Sequence, residues 1–381
     1  MTIWVIAGLL GMATGLRIGW ALVNRQSVVS SAMIVALGSL AVLALLNWPP
    51  VTLLVDTALG WPNIAIGLSE VALVASAAGS CVMITSVAST RNPSAVRNLA
   101  VIQYCVAALI AAVAVGLFIV SGRQPEMTPR EYLSRNLGAA NTALHWLVPL
   151  LYVLLALTLV SWVGMRLANP TRRGRALFVF TIGIALIVAS SAFVLIRAVG
   201  TTNLVGVGTA ATLLAAAMTI VAAGSMLPAI EDWVGSRHEL RLIRPLRDEM
   251  MRRHPDIGIG VRPRGPLAFR VAEQLSLISD SLYLEANVAQ SAQTASITAA
   301  SSSQIAVTGP QQALAVARWI HGGRGNGAGI FPGRGWLRQP ASYSDRDWII
   351  EISRQYRNVD RIGHRPNTDD VAGLSAGPAA G

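Results

Sequence analysis

The sequence predicts an all-α, polytopic membrane protein: seven transmembrane helices followed by a small cytoplasmic helical domain. Three observations carry this. The chain of 381 residues is 53% hydrophobic and only 13% charged, with a mean hydropathy of +0.53, outside the range of soluble globular domains. Its apolar excess falls in seven runs within the first 228 residues. After them the chain turns polar, with helix-period apolar stripes. The first 228 residues hold 12 arginines against 4 acids, and the remainder 18 against 15. Two parts in different solvents follow, with boundaries expected at 1–228, 229–361 and, for a disordered tail, 362–381.

A hydrocarbon core of about 30 Å needs about 20 apolar residues in a helix. Seven segments meet this, near 3–23, 27–47, 64–87, 99–121, 141–166, 176–199 and 203–228. The first opens MTIWVIAGLL with no basic leader and no small-residue cleavage site, so it reads as a span rather than a removable signal.

Arginine placement sets the orientation. The first, third and fifth connections carry Arg25, then Arg91 and Arg97, then Arg166, Arg172, Arg173 and Arg175. The fourth holds Arg123, Arg130 and Arg135, partly balanced by Glu126 and Glu131, and Arg197 flanks the sixth. The majority, with the arginine-rich tail, predicts a multi-pass protein of the cell membrane with its N-terminus outside and its C-terminus in the cytoplasm.

Within the spans, Gly11, Gly15 and Gly19 form a smooth seam for close helix approach, and ASAAGS at residues 75–80 makes the third span thin. Both spans are expected deep in the bundle, the competing reading of the seam being a homodimer face. Cys81 and Cys105 fall inside apolar runs, which excludes a disulfide framework or zinc spacing, and both read as small core residues. Arg17 is expected to snorkel to the inner headgroups.

Three ionisable groups share the outer third of the bundle: Glu70, His145 and Arg197. Ionisable side chains inside a bilayer cost about 2.5 to 3.5 kcal/mol on insertion scales. Glu70 lies about 9 Å into the third span, too deep for its short stem to reach water, so it must be neutral, paired or facing a wet cavity. His145 and Arg197 are the bases available to it, and Pro149 frees a backbone carbonyl one turn from His145. A structural hydrogen-bond network and an outward-opening proton, ion or ligand site are the two readings of this trio.

Catalytic chemistry finds little support. HELRL at 238–242 lacks the second histidine of a zinc-protease helix, G-x-S-x-G is missing, and GGRGNGAGIFPGRG has neither the ending nor the preceding strand of a phosphate-binding loop. No enzyme activity, no cofactor and no metal are expected. The net charge of +11 lies largely in and beside apolar spans without a basic-aromatic stripe, so no nucleic-acid partner is expected.

In the tail, Pro245 is expected to begin a helix with Ile243, Leu246 and Met250 on one face. Leu267, Val271, Leu275, Ile278 and Leu282 form an amphipathic stripe. GPQQALAVARWI reads as a third helix, and SDRDWIIEISRQYR, with Trp348, Ile349, Ile352 and Tyr356, as the last. Seven spans, then LRLIRPLRDEMMRRHPDIGI, then FRVAEQLSLISDSLYLEA, then ARWIHGGRGNG and a short final helix: this order resembles an actinobacterial family of seven-helix membrane proteins with a cytoplasmic helical domain of unknown function. Its members often carry a transporter label, and the resemblance supplies no catalytic residues. The sequence differs where members have a more strongly charged second tail helix.

Three functions are open on these observations. A sensor or signalling module would relay the outward polar site to the helical domain and its cytoplasmic protein partner. A small-solute or ion transporter is what the family label implies, and an envelope scaffold held by its tail is the third.

Overall fold

In a bilayer, water offers no hydrogen bonds to the backbone, so a chain this apolar satisfies its amides within helices. The computed structural model of the protein bears this out. It describes residues 2–23, 27–89, 92–137, 143–199, 206–257, 265–295, 308–322 and 331–363, and among these it holds helices and no strand. Seven helices are long and apolar enough to cross a membrane. They are α1 (Thr2–Val23), α2 (Val28–Leu46), α4 (Ile64–Ala88), α5 (Pro93–Val120), α7 (Ala143–Leu167), α8 (Arg172–Val199) and α9 (Val207–Arg253). Two shorter helices lie between spans: α3 (Pro49–Leu59) and α6 (Pro129–Asn136). The chain divides into two compact units, Met1–Ala229 and Ile230–Gly381.

In the first unit α4 is the most buried span and α2, α5 and α7 pack around it. Its face of Ala65, Gly67, Ser69, Ala72, Ser76 and Ala77 lets neighbours close in, the route by which helices associate where lipid is as apolar as leucine. The closest approach is at Gly79. A Cβ there would stand 2.7 Å from the Ala36 amide nitrogen and 2.9 Å from the Ala32 carbonyl oxygen of α2. Gly224 of α9 plays the same part against Phe180 of α8, whose nitrogen lies 2.6 Å from the Cβ position.

The seam expected to do this work does not. Gly11, Gly15 and Gly19 are exposed, and nothing stands within 4 Å of a Cβ built on any of them. α1 is among the least buried spans and presents Ile6, Leu10 and Ala13 to the core instead. Helical rotation accounts for the difference, because the glycines occupy one stripe of α1 and the larger apolar residues the stripe that the bundle covers. Cys81 is buried, but Cys105 lies exposed on the outside of α5, not in the core. Arg17, half-buried, donates to the Ser225 carbonyl of α9 at 3.1 Å, so a protein acceptor meets it rather than headgroups alone.

The last span also departs from expectation. α9 runs through Pro228 and Pro245 to Arg253 without a break, where Pro245 was expected to start a new helix. Each proline removes one intrahelical bond, but the intervening EDWVGSRHELRLIR is otherwise compatible with helix, and both flanks are anchored by core residues. The second unit is completed by α10 (Leu267–Ala295), α11 (Gly309–Gly322), a 3-10 turn at Arg334–Leu337 and α12 (Asp345–Gly363). Its core joins Ile243, Leu246 and Met250 to Val271, Ile278 and Leu282 and to Trp348, Ile352 and Tyr356. Trp348 Nε1 donates to the Leu337 carbonyl at 2.9 Å, fixing the 3-10 turn over α12. Glu249, its side chain fully buried, accepts from Arg252 at 2.7 Å and Arg253 at 2.8 Å. Of the stretch expected to be disordered, residues 362 and 363 end α12, and the rest lies outside the described residues, as do the segment 296–307 and most of GGRGNGAGIFPGRG.

Candidate functional site

The start of α4 is built by two side chains. The buried Asp56 carboxylate, in α3, accepts from the amides of Ala65 at 2.8 Å and Asn63 at 3.1 Å. A carboxylate here satisfies donors that a helix N-terminus leaves open and opposes its positive end. Asn63 adopts a left-handed φ of 62°, a conformation asparagine tolerates better than most residues. Its side chain donates to the Pro125 carbonyl at 2.9 Å and accepts from the Met127 amide at 3.0 Å. The connection before α6 is thereby tied to the start of α4, and Arg123 stacks over Trp61 at 4.6 Å.

That tie delivers α6 to the same end of the bundle. Thr128 caps it by accepting from the Glu131 amide at 3.3 Å, with Pro129 in the first turn, a favoured helix start. Tyr132 then projects into a cluster with Ile66, Phe118, Trp146, Leu150 and Ala198. Its ring centroid lies 6.4 Å from Phe118 and 6.3 Å from Trp146. Tyr132 is only 2% exposed.

Glu70 lies one turn beyond Ile66 and is half-buried. The phenol of Tyr132 is pushed up to about 12, chiefly by burial and further by the charge of the Glu70 carboxylate. Arg197 occupies the last turn of α8, next to Ala198 of the same cluster. His145 lies in the first turn of α7, one residue before Trp146. Its side chain lies outside what the structure describes. α7 continues helically through Pro149.

The structure thus gathers the backbone positions of Glu70, His145 and Arg197 at one end of the bundle, where Tyr132 of α6 joins them. Tyr132 was missed because α6 has eight residues, too few to register in a search for spans. Its T-P-R-E start is a capping-box pattern and could have flagged the helix. Asn47 at the end of α2 donates to Ser69 Oγ at 3.4 Å, the neighbour of Glu70.

Among the described residues no group of three His, Cys, Asp or Glu side chains converges as a metal site would require. Glu70 thus lies one turn along α4 from Ile66, whose cluster holds Phe118, Tyr132 and Trp146. Comparison with known proteins finds no matching family model, no matching curated relative and no matching solved structure.

Proposed function

We propose that this integral membrane protein is a sensor or signalling module, with Glu70 as its responsive group and the second unit as its cytoplasmic output. One observation carries the reading: α9 belongs to both cores. Its first half packs Ala217, Met218 and Val221 into the apolar bundle, and its last turns pack Ile243, Leu246 and Met250 among the tail helices. We take α9 as the element that would carry a response from one unit to the other. Arg17 on the Ser225 carbonyl ties α1 to the same helix. The N-terminus is outside and the tail faces the cytoplasm, where a protein partner reads it. The exposed seam of Gly11, Gly15 and Gly19 is the face through which two copies would meet. No reaction is assigned to either unit, and the actinobacterial seven-helix family remains the resemblance that fits the order of elements.

The test uses the full chain in lipid nanodiscs. Hydrogen exchange of α10 and α12 is compared between the wild type and Glu70→Gln, which keeps shape while removing charge. The expected result is a changed exchange rate in the tail peptides with the bundle still folded. Identical tail exchange would sink the sensor reading, and solute flux in proteoliposomes that Glu70→Gln abolishes would favour transport in its place.

A further inference from the structure

At the end of the bundle that carries α6, a groove opens between α1, α2, α6 and the first turns of α9, with a volume of about 760 Å³. Its wall is mostly apolar, with Ile3 and Ile6 on one side and Leu214 and Met218 on the other. Met218 is eleven residues past the start of α9, so the apolar wall extends about 16 Å along that helix.

Among the described residues a single charged side chain lines it, Arg130. Arg130 is exposed, and no ion pair engages it among the described residues. Neither Glu126 nor Glu131 lines the groove. The guanidinium rests on Gly208, where a Cβ would stand 3.3 Å from its Cζ and overlap its terminal nitrogen. Gly208 lies in the first turn of α9, whose open amides add positive potential at the same place. A cation placed on the positive end of a helix is a repulsive arrangement, and an anion relieves both partners.

We propose that this groove holds an anionic phospholipid, its phosphate on Arg130 and its acyl chain along Ile6, Leu214 and Met218. A soluble anion would make no use of the apolar wall, and a zwitterionic lipid would bring an ammonium group to a place already doubly positive. The bilayer around the seven spans supplies the ligand. The proposal is independent of any role for Glu70.

Native mass spectrometry of the full chain released from detergent micelles tests it, with phosphatidylglycerol and phosphatidylcholine as probes. The wild type should retain one phosphatidylglycerol with about tenfold preference over phosphatidylcholine, the scale of one charge-assisted contact. Arg130→Ala should abolish the preference. Arg130→Gln, similar in length and polar, replaces it should the alanine variant not fold. Arg97→Ala should leave the preference intact. Ala211→Trp, which fills the groove from an exposed position with Arg130 unchanged, should remove retention of both lipids. Equal binding of the two lipids by the wild type overturns the proposal, as does undiminished preference in both Arg130 variants. Displacement of the lipid by millimolar inorganic phosphate would also overturn it, pointing to a soluble anion.

Discussion

Arg253 and Glu285 stand 32 residues apart in the chain and 2.6 Å apart in space. The pair joins the last turn of α9 to α10, and both members have second partners: Arg253 also donates to Glu249 at 2.8 Å, and Glu285 meets His254 at 2.8 Å. Glu249 is fully buried and the Arg253 side chain only 13% exposed. Glu249→Ala leaves Arg253 with Glu285 as its remaining carboxylate, so it should destabilise the second unit by about 1 to 3 kcal/mol, the cost of lost charge-assisted hydrogen bonds, read as faster hydrogen exchange throughout α10 and α11 of the full chain. Arg252→Ala removes a partner that is 61% exposed and should cost under about 1 kcal/mol.

Two glycine substitutions separate close packing from an open seam. Gly79→Ala pushes a methyl into the α2 backbone and should destabilise the bundle by about 1 to 3 kcal/mol. Gly15→Ala meets open space within one copy and should stay within about 0.5 kcal/mol in the monomer. Thermal melts of the monomer in detergent, compared side by side, check this order. Equal losses would mean that α1 uses its glycines within the bundle after all.

Asp56 is a helix cap buried at the end of a bundle. Asp56→Ala orphans two amides and should cost about 1 to 2 kcal/mol. Asp56→Asn keeps one oxygen acceptor and should lose less. The same melts measure both.

The phenol of Tyr132 gives a pH signature. In the unfolded chain a tyrosine loses its proton near pH 10, whereas in the folded protein Tyr132 holds it to about 12. Between those values the folded state keeps a proton that the unfolded state has released, so stability falls as pH rises through that window and owes nothing to Tyr132 below it. Tyr132→Phe should remove that part of the slope. Glu70→Gln should lower the midpoint, though not to 10, since burial is the larger cause. Phenolate absorbance, taken as the difference between wild type and Tyr132→Phe, reads both. An unmoved midpoint in Glu70→Gln would mean that the two groups are not coupled.

Much of the architecture was legible because it is local. Twenty-residue apolar runs marked the spans, and of the stripe Leu267, Val271, Leu275, Ile278 and Leu282 the last four are buried as the spacing required, while Leu267 at the helix start is only half-buried. Ile243, Leu246 and Met250, chosen as one face, are all fully buried. What failed depended on rotation and partners. Periodicity places Gly11, Gly15 and Gly19 on a common stripe but does not say which stripe of α1 the bundle covers. Proline is read as punctuation, yet Pro228 and Pro245 sit inside a helix held at both ends by packing. Glu70 was legible as costly at its depth, but Tyr132, 62 positions later on a short helix, becomes its neighbour only through Asn63 and the connection it anchors.

Because the last turns of α9 belong to the tail core, synthesis imposes an order on assembly. Ile243, Leu246 and Met250 leave the ribosome about 100 residues ahead of Ile352 and Tyr356, which at about 5 to 20 residues per second is roughly 5 to 20 s of waiting. During that interval the face has no native cover, and α10 supplies only part of it. Closure belongs to α12, whose Trp348, Ile352 and Tyr356 are all at most 2% exposed when folded. A nascent chain stopped before residue 345 would carry a greasy, uncovered helix end, the form a quality-control protease is built to recognise.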